Sequence, residues 1–223
     1  MVAKFFPPAT EASPDGLLCI GGNLTAPWLL DAYCHGIFPW PVWDDEPMMW
    51  WSPDPRAILP LEDLHISRRL ARTVRSNKFQ ASCDKAFRQV LEGCASGPGR
   101  HGGTWLTAEM FQAYLNMHRL GHAHSIEVWH AGQLAGGTYG IAVGGLFAAE
   151  SMFYHLRDAS KVALVHLVAH LRKRGYQLLD IQQWTPHTGR LGAIEISRQA
   201  YLQRLAKAVD LPVTFGKKLE GAT

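Results

Sequence analysis

The positions of apolar residues along this chain predict a run of helices followed by a run of strands. From Ser82 to Cys94 the apolar residues recur at intervals of three and four, which predicts a helix that begins at Ser82. Two further segments have the helical pattern, one at 66–77 and one that begins at Thr107 and ends at Gly121. This part of the chain is therefore predicted to be mainly helical.

The pattern then changes to that of strands. An antiparallel meander of three strands is predicted because short Gly-containing turns separate the segments 125–130, 133–143 and 146–154. A helix, a strand and a last helix follow at 158–174, 178–184 and 197–209. This order predicts an α+β fold with a mainly antiparallel sheet, and it is typical of an acyltransferase core.

The beginning of the chain differs from the rest in its content of Pro, Gly and Trp. It has one predicted helix, which begins at the N-cap Thr25 and stops at Gly36. We therefore expect a small N-terminal domain over residues 1–62 and a larger domain over residues 63–223.

The predicted strand 178–184 carries polar side chains where a buried strand needs apolar ones. Asp180 and Gln182 are two positions apart, so an extended backbone would place both on one face of the sheet. An ionised carboxylate is costly to bury without partners. The pair is therefore either a hydrogen-bonded core network or a catalytic pair at the mouth of the sheet.

Glu150 is a second acid inside an apolar strand. In the alternating pattern of a strand, Ala148 and Met152 share the face of Glu150, whereas Phe147, Ala149 and Phe153 lie on the opposite face. Both faces of the strand are therefore largely apolar. This favours a pocket or a buried pair over a solvent-exposed side chain.

Charge is distributed unevenly along the chain. Residues 1–63 contain nine acidic and two basic side chains, whereas residues 64–223 contain ten acidic and twenty basic ones. Arg68, Arg72 and Arg75 lie along one face of the predicted helix 66–77, without acidic partners at helical spacing. This face is either a solvated surface or, as we favour, a phosphate-binding surface that points to a polyanionic partner.

Several function classes are excluded or disfavoured by the sequence. The four cysteines are far apart, and the eleven histidines form no HExxH motif, so neither a metal site nor a disulfide framework is predicted. Serine-nucleophile and phosphate-loop motifs are absent. No apolar run reaches the ~20 residues of a membrane span, and Pro7-Pro8 interrupts the start before a signal-peptide core could form. We therefore expect a cytoplasmic protein. We also expect a monomer, because no segment of the sequence indicates a self-complementary apolar surface.

Six segments resemble the leucyl/phenylalanyl-tRNA–protein transferase family, in an order that the whole match keeps from about Gly16 to Leu202. They are Gly36–Trp40, Trp50–Arg56, Leu64–Arg68, Gly121–Trp129, Glu150–Phe153 and the pair Asp180 and Gln182. The resemblance implies an acetyltransferase-like α/β/α core in the larger, catalytic domain. The resemblance implies transfer of Leu or Phe, and also Met, from aminoacyl-tRNA to the N-terminal Arg or Lys of a protein, which marks that protein for N-degron degradation. It implies no cofactor, because aminoacyl-tRNA is already an activated ester.

The resemblance also assigns roles to individual residues. Gln182 would accept a hydrogen bond from the attacking amine, and Asp180 would polarise Gln182 and favour the cationic acceptor. Glu150 would hold a positive group of one substrate, and Arg68, Arg72 and Arg75 would contact the tRNA. The implied substrate-binding set is completed by Tyr33, Trp40, Trp105, Thr138 and Phe147. Thr138 stands where the family pattern has Met, which leaves the preference among Leu, Phe and Met open.

Two alternatives to this function remain at the level of sequence. One is an aminoacyl-tRNA-dependent transferase with a different amine acceptor. The other is a non-catalytic tRNA- or peptide-binding module, which would tolerate the loss of Asp180. The loop that binds the coenzyme A pyrophosphate in ordinary acetyltransferases has no counterpart before the predicted helix 158–174, where Leu156–Lys161 stands instead. The donor is therefore not expected to be an acyl-CoA.

Overall fold

The computed structural model describes residues 3–41, 47–96 and 106–221. The helices are α1 (Ala26–Cys34), α2 (Arg68–Arg75), α3 (Phe87–Ser96), α4 (Ala108–Arg119), α5 (Ala159–Arg174), α6 (Pro186–Gly189) and α7 (Arg198–Val209). The strands are β1 (Leu17–Ile20), β2 (Phe38–Pro39), β3 (Met49–Trp51), β4 (Arg56–Ile58), β5 (Gln80–Cys83), β6 (Ala123–His130), β7 (Gln133–Val143), β8 (Leu146–Tyr154), β9 (Leu178–Gln182) and β10 (Ile194–Ile196).

A seven-stranded sheet forms the centre of the molecule. Its strand order is β10-β4-β9-β8-β7-β6-β5. Every neighbouring pair is antiparallel except β8 and β9, which run parallel because α5 connects them as a crossover. The predicted meander is confirmed as β6, β7 and β8, with turns at Ala131 and Gly144. A second sheet of three short strands has the order β1-β3-β2.

Helices cover both faces of the large sheet. Helix α5 packs on one face against β6, β7 and β8, and its buried side chains belong to one of two apolar clusters. Helices α1, α3, α4 and α7 cover the other face, where the second cluster lies. The prediction of an α+β fold with an α/β/α core and a mainly antiparallel sheet is thereby confirmed.

The N-terminal part packs closely onto this core. Trp50 of β3 and Phe6 are buried in the same apolar cluster as Tyr139 of β7, so the core is continuous from the small sheet to the large one. Strand β4, which precedes residue 63, pairs with β9 and β10 in the large sheet. The division into 1–62 and 63–223 stays a prediction, and the first part contributes a strand to the sheet of the second.

One predicted helix boundary is wrong. Ser82 lies in β5, where it pairs with Glu127 of β6, and α3 begins only at Phe87. The apolar spacing was misleading because Cys83 and Phe87 point to opposite faces of the sheet: Cys83 belongs to the cluster under α5, and Phe87 to the other cluster. Asp84, with a φ of 55°, turns the chain between the strand and the helix.

Within residues 3–41, 47–96 and 106–221, no helix combines the length and the apolarity that crossing a membrane requires.

Candidate active site

Strands β8 and β9 separate after three paired positions. Their parallel pairing ends at Ala148 and Asp180. Immediately beyond, each strand contains an irregularity: Glu150 is an extra residue of β8 opposite β7, and Ile181 is an extra residue of β9 opposite β4. Gln182 then has a φ of 58°, a left-handed conformation that is unusual for a residue with a side chain. The sheet therefore opens at the point where its polar residues stand.

The Asp180 carboxylate is paired with four hydrogen-bond donors inside the protein. Arg56 donates from Nε to Oδ1 at 2.9 Å and from Nη2 to Oδ2 at 2.6 Å. Tyr201 of α7 donates its hydroxyl to Oδ2 at 2.8 Å, and the main-chain N–H of Gln182 donates to Oδ1 at 2.9 Å. Asp180 therefore fixes the end of β9, and its contact with Gln182 is to the main chain instead of the side-chain amide.

Arg56 is as deeply buried as its partner, with both side chains 1% exposed. Its guanidinium lies between the rings of Phe38 and Tyr201, at 4.7 and 4.5 Å from their centroids, and it donates to the carbonyl of Gly36 at 3.1 Å. Burial disfavours the charged guanidinium, but Asp180 and Tyr201 together raise the pKa of Arg56 above its ordinary value. The charges of Arg56 and Asp180 thus compensate each other.

Glu150 is the second buried acid of the site, and its carboxyl has a raised pKa. Burial, partly opposed by Tyr33, Tyr114 and Arg56, raises the pKa of this carboxyl from 4.5 to about 7. Tyr114 donates its hydroxyl to Oε2 at 3.0 Å, and Gln182 donates from Nε2 to Oε1 at 3.2 Å. A carboxyl whose pKa is raised to this range is suited to exchange a proton near neutral pH.

A cavity of about 300 Å³ lies in the opening between the strands. Glu150 of β8 and Gln182 of β9 are among its polar lining residues, together with Thr138, Ser151, Gln183, Thr185 and Thr188. Its apolar walls come from both sides of the sheet, with Phe38 and Trp40 on one side and Leu164 of α5 on the other. A mainly apolar cavity with a few convergent polar groups is typical of a small-molecule or side-chain binding site.

Two models of one protein family match most of the span over which the sequence resemblance extends. The model of the leucyl/phenylalanyl-tRNA protein transferase matches residues 58–206, and that of its N-terminal domain matches residues 22–54. This chain belongs to the leucyl/phenylalanyl-tRNA–protein transferase family.

Curated relatives agree with the family models. The chain is 51% identical over 216 residues to the leucyl/phenylalanyl-tRNA–protein transferase of Nitratidesulfovibrio vulgaris strain DP4, covering 96% of this chain and 92% of the relative. It is 51% identical over 203 residues to the enzyme of that name from Aromatoleum aromaticum, covering 90% and 85%.

The solved structures that match this chain have much lower identity. The chain is similar to L-PGS from Bacillus licheniformis, with a TM-score of 0.44 and 10% identity over 70% of this chain and 65% of that one. It is also similar to a ribosomal-protein-alanine N-acetyltransferase from Brucella melitensis biovar Abortus 2308, with a TM-score of 0.37 and 15% identity over 50% and 84%.

The residues that the family resemblance singles out are only partly brought together. Trp40, Thr138 and Glu150 line the cavity, with Trp40 40% exposed at its edge. Tyr33 lies behind Glu150, where its hydroxyl is 3.1 Å from that of Tyr114. Trp105 falls outside the described residues.

The structure does not place Phe147 in this cavity. Its side chain is fully buried under α5, where its ring packs against Phe215 at 5.6 Å and Tyr176 at 6.5 Å. Phe147 precedes the irregularity at Glu150, so its side chain follows the regular alternation onto the α5 face of the sheet. The structure therefore places Phe147 in the core under α5, and its contact with substrate stays a prediction.

The predicted basic helix is present as α2. Ser67 caps it by accepting a hydrogen bond from the main-chain N–H of Leu70, which is buried. Arg68, Arg72 and Arg75 are exposed. Their contact with tRNA stays a prediction.

Sequence reasoning missed Arg56, Tyr114 and Tyr201, the residues that surround the two carboxylates. A detectable pattern existed for Arg56, since it begins the apolar run that ends at Leu59. A cation and an anion in two separate apolar strands suggest a buried pair. Tyr114 and Tyr201 lie on amphipathic helices, where nothing in the sequence distinguishes them from other core residues.

Across the described part of the chain, no three His, Cys, Asp or Glu side chains are grouped so as to hold a metal ion.

Proposed function

We propose that this protein transfers Leu or Phe, and also Met, from aminoacyl-tRNA to the N-terminal Arg or Lys of acceptor proteins. The product carries a new peptide bond and a residue that marks it for N-degron degradation. The observation that carries the proposal is the Glu150–Gln182 pair in an apolar cavity at the opening of the sheet, in a member of this family. We propose that the protein acts in the cytoplasm as a monomer and in two domains, 1–62 and 63–223.

The chemistry requires little more than positioning and proton transfer. The donor is an ester, so the acceptor amine attacks the ester carbonyl carbon, a C–N bond forms, and the bond to the ribose oxygen breaks. One proton must leave the amine nitrogen and one must reach the departing oxygen. Holding the amine and the ester together replaces an encounter of two molecules by a reaction within one complex.

Glu150 is the group that we assign to the proton of the amine. An N-terminal ammonium has a pKa of ~7.7–8, close to the value of about 7 to which burial raises the pKa of Glu150. In its ionised form Glu150 binds the ammonium, which is the role that the family resemblance gave it. The same carboxylate first takes one proton from the ammonium, and the neutral amine then attacks the ester carbonyl carbon. The nitrogen loses its second proton as the amide forms. One of the two protons goes to the departing ribose oxygen and the other leaves to solvent.

Gln182 and Asp180 then have different roles from each other. Gln182 uses its amide N–H to hold Glu150, which leaves the amide oxygen to accept a hydrogen bond from the amine. Asp180 acts through the main chain of Gln182, because four donors already occupy its carboxylate. Its negative charge is compensated by Arg56, so the attraction of a cationic N-terminus falls to Glu150.

The test supplies tRNA that carries labelled Phe or Leu, together with a protein that begins with Arg. We expect the label on that protein and none on the same protein beginning with Glu. Label on free amines or on a small molecule instead would favour a different acceptor. Binding of the tRNA without any transfer would favour a non-catalytic module.

A further inference from the structure

Two cavities, of about 490 and 300 Å³, adjoin the active-site cavity. Met152 lines both the active-site cavity and the larger neighbour, and Leu191 lines both the active-site cavity and the smaller one. Arg69, Lys161 and His187 line both neighbours. The two therefore form one cleft, which we call the basic cleft, that continues from the place of the chemistry to the surface.

The basic cleft has a strong excess of positive charge. Arg157 and Lys161 line one part of it and Arg190 the other, and no described carboxylate lies within ion-pair distance of any of the three. Asp158 is the single acid among the lining residues, and Arg69 neutralises it across 3.0 Å. Three cations thus remain without compensation around a concave surface, an arrangement that favours an anion.

Two further observations support an anionic occupant. Ser160, in the first turn of the sixteen-residue helix α5, lines the cleft, so the positive end of the helix dipole faces it. Burial, followed by the charges of Lys161 and Arg190, lowers the pKa of His187. The charges of Lys161 and Arg190 therefore both act at His187, where they disfavour the protonated imidazolium.

The position that the aminoacyl-tRNA must take indicates which anion the basic cleft would bind. The aminoacyl ester must reach Glu150 and Gln182, so the terminal ribose lies near the cavity and its phosphates must leave through an open side. At the Phe38 and Trp40 end the lining is aromatic, whereas the Met152 and Leu191 edges lead to the basic cleft. Cations in a groove are the usual means of holding a single-stranded phosphate backbone.

We propose that the basic cleft binds the phosphates of the single-stranded 3′ end of the aminoacyl-tRNA, while the exposed arginines of α2 contact another, base-paired part of the same molecule. This rests on the proposed function, since it names the part of the tRNA substrate that enters beside the active site. The basic cleft and the arginines of α2 then contribute separately to the affinity for tRNA. A short single-stranded RNA measures the contribution of the cleft alone, and full-length tRNA measures that of both surfaces.

The experiment compares two ligands and three variants. The ligands are a short single-stranded RNA ending in CCA, without an amino acid, and full-length tRNA, each measured by fluorescence anisotropy at several salt concentrations. The variants are Lys161→Gln/Arg190→Gln in the basic cleft, Arg72→Ala/Arg75→Ala on α2, and Lys207→Gln as a matched control on the exposed side of α7. Coenzyme A serves as a phosphate-containing competitor from a different source.

We expect the cleft variant to bind the short RNA at least tenfold more weakly, with a salt slope smaller by roughly 0.7 for each lost phosphate contact. The α2 variant should bind the short RNA as the wild type does and full-length tRNA more weakly, and Lys207→Gln should change neither. In the wild type, adding the short RNA should raise the pKa of His187, followed by NMR.

The proposal is overturned if the wild type does not bind the short RNA, or if the cleft variant binds it unchanged. Equal losses from the cleft and α2 variants on the short RNA would contradict the division between the two surfaces. Competition by coenzyme A stronger than by the short RNA would assign the cleft to a nucleotide cofactor and also overturn it. Transfer of Phe by the wild type, measured in parallel, separates these results from a failure of the proposed function.

Discussion

Arg56 and Asp180 form a two-point ion pair in the interior, with Nε 2.9 Å from Oδ1 and Nη2 2.6 Å from Oδ2. The residues are far apart in sequence and lie on the neighbouring strands β4 and β9. Because neither side chain reaches solvent, removing one leaves the other as an uncompensated charge in the core. The pair connects the N-terminal part of the chain to the strand that carries Gln182.

Replacing one member of this pair should therefore destabilise the fold strongly. We expect Asp180→Leu and Arg56→Met each to lower the free energy of unfolding by about 3–5 kcal/mol, and the double variant Arg56→Met/Asp180→Leu to recover a large part of the loss. Urea unfolding measures all three. The exposed pair Arg172–Glu62 is the control, and its removal should cost about 1 kcal/mol or less. Equal costs for the buried and exposed pairs would contradict this account.

Glu150→Gln should slow transfer by about 100-fold or more, because the amide cannot take the proton of the amine. The pH dependence distinguishes this loss from a defect of binding. In the wild type the rate at saturating aminoacyl-tRNA should fall as the pH drops below about 7, where Glu150 becomes protonated. In the variant the fall should move towards ~8, the pKa of the free acceptor amine. An unchanged midpoint in the variant would exclude Glu150 as the titrating group.

The same carboxyl should make stability depend on pH. Its pKa is raised in the folded protein, from 4.5 to about 7, so its contribution to stability is fully present below 4.5 and is lost as the pH rises through 7. The wild type should therefore lose roughly 3 kcal/mol relative to Glu150→Gln between pH 4 and pH 8. Denaturant unfolding across this range checks the prediction, with the exposed Glu195→Gln as the matched control variant.

Thr138→Met should change the choice of amino acid. Thr138 lines the cavity of about 300 Å³, and its hydroxyl donates to the carbonyl of Ser151 at 2.9 Å. A methionine there would occupy part of the cavity, so we expect kcat/KM for Phe-tRNA to fall relative to Leu-tRNA by about 10- to 100-fold. An unchanged ratio between the two substrates would place the amino-acid side chain outside this part of the cavity.

The sequence predicted much of the fold because its periodic segments are long. The three strands of the meander and helices α4, α5 and α7 have nearly the expected bounds, since each is set by a regular apolar pattern and by turn or cap residues such as Thr107, Gly175 and Ser197. The boundary at Ser82 failed because apolar residues on two different faces happened to have helical spacing.

The candidate site was less accessible to sequence reasoning than the fold. The polar residues in apolar strands, Asp180, Gln182 and Glu150, were identified without the structure. Their division of roles was not, because it depends on the extra residues in β8 and β9, on the left-handed turn at Gln182 and on Arg56 in a distant strand. Alternation also placed Phe147 and Phe153 on one face, whereas the extra residue at Glu150 puts the two rings in different apolar clusters.

The most direct measurement of the central claim is the mass and N-terminal sequence of an acceptor protein after incubation with the enzyme and Leu-tRNA or Phe-tRNA. The account predicts one additional Leu or Phe joined to the α-amine of an N-terminal Arg, and no addition when that amine is acetylated. An acceptor that remains unmodified while the enzyme is folded and binds the tRNA, or an addition to lysine side chains instead, would contradict it.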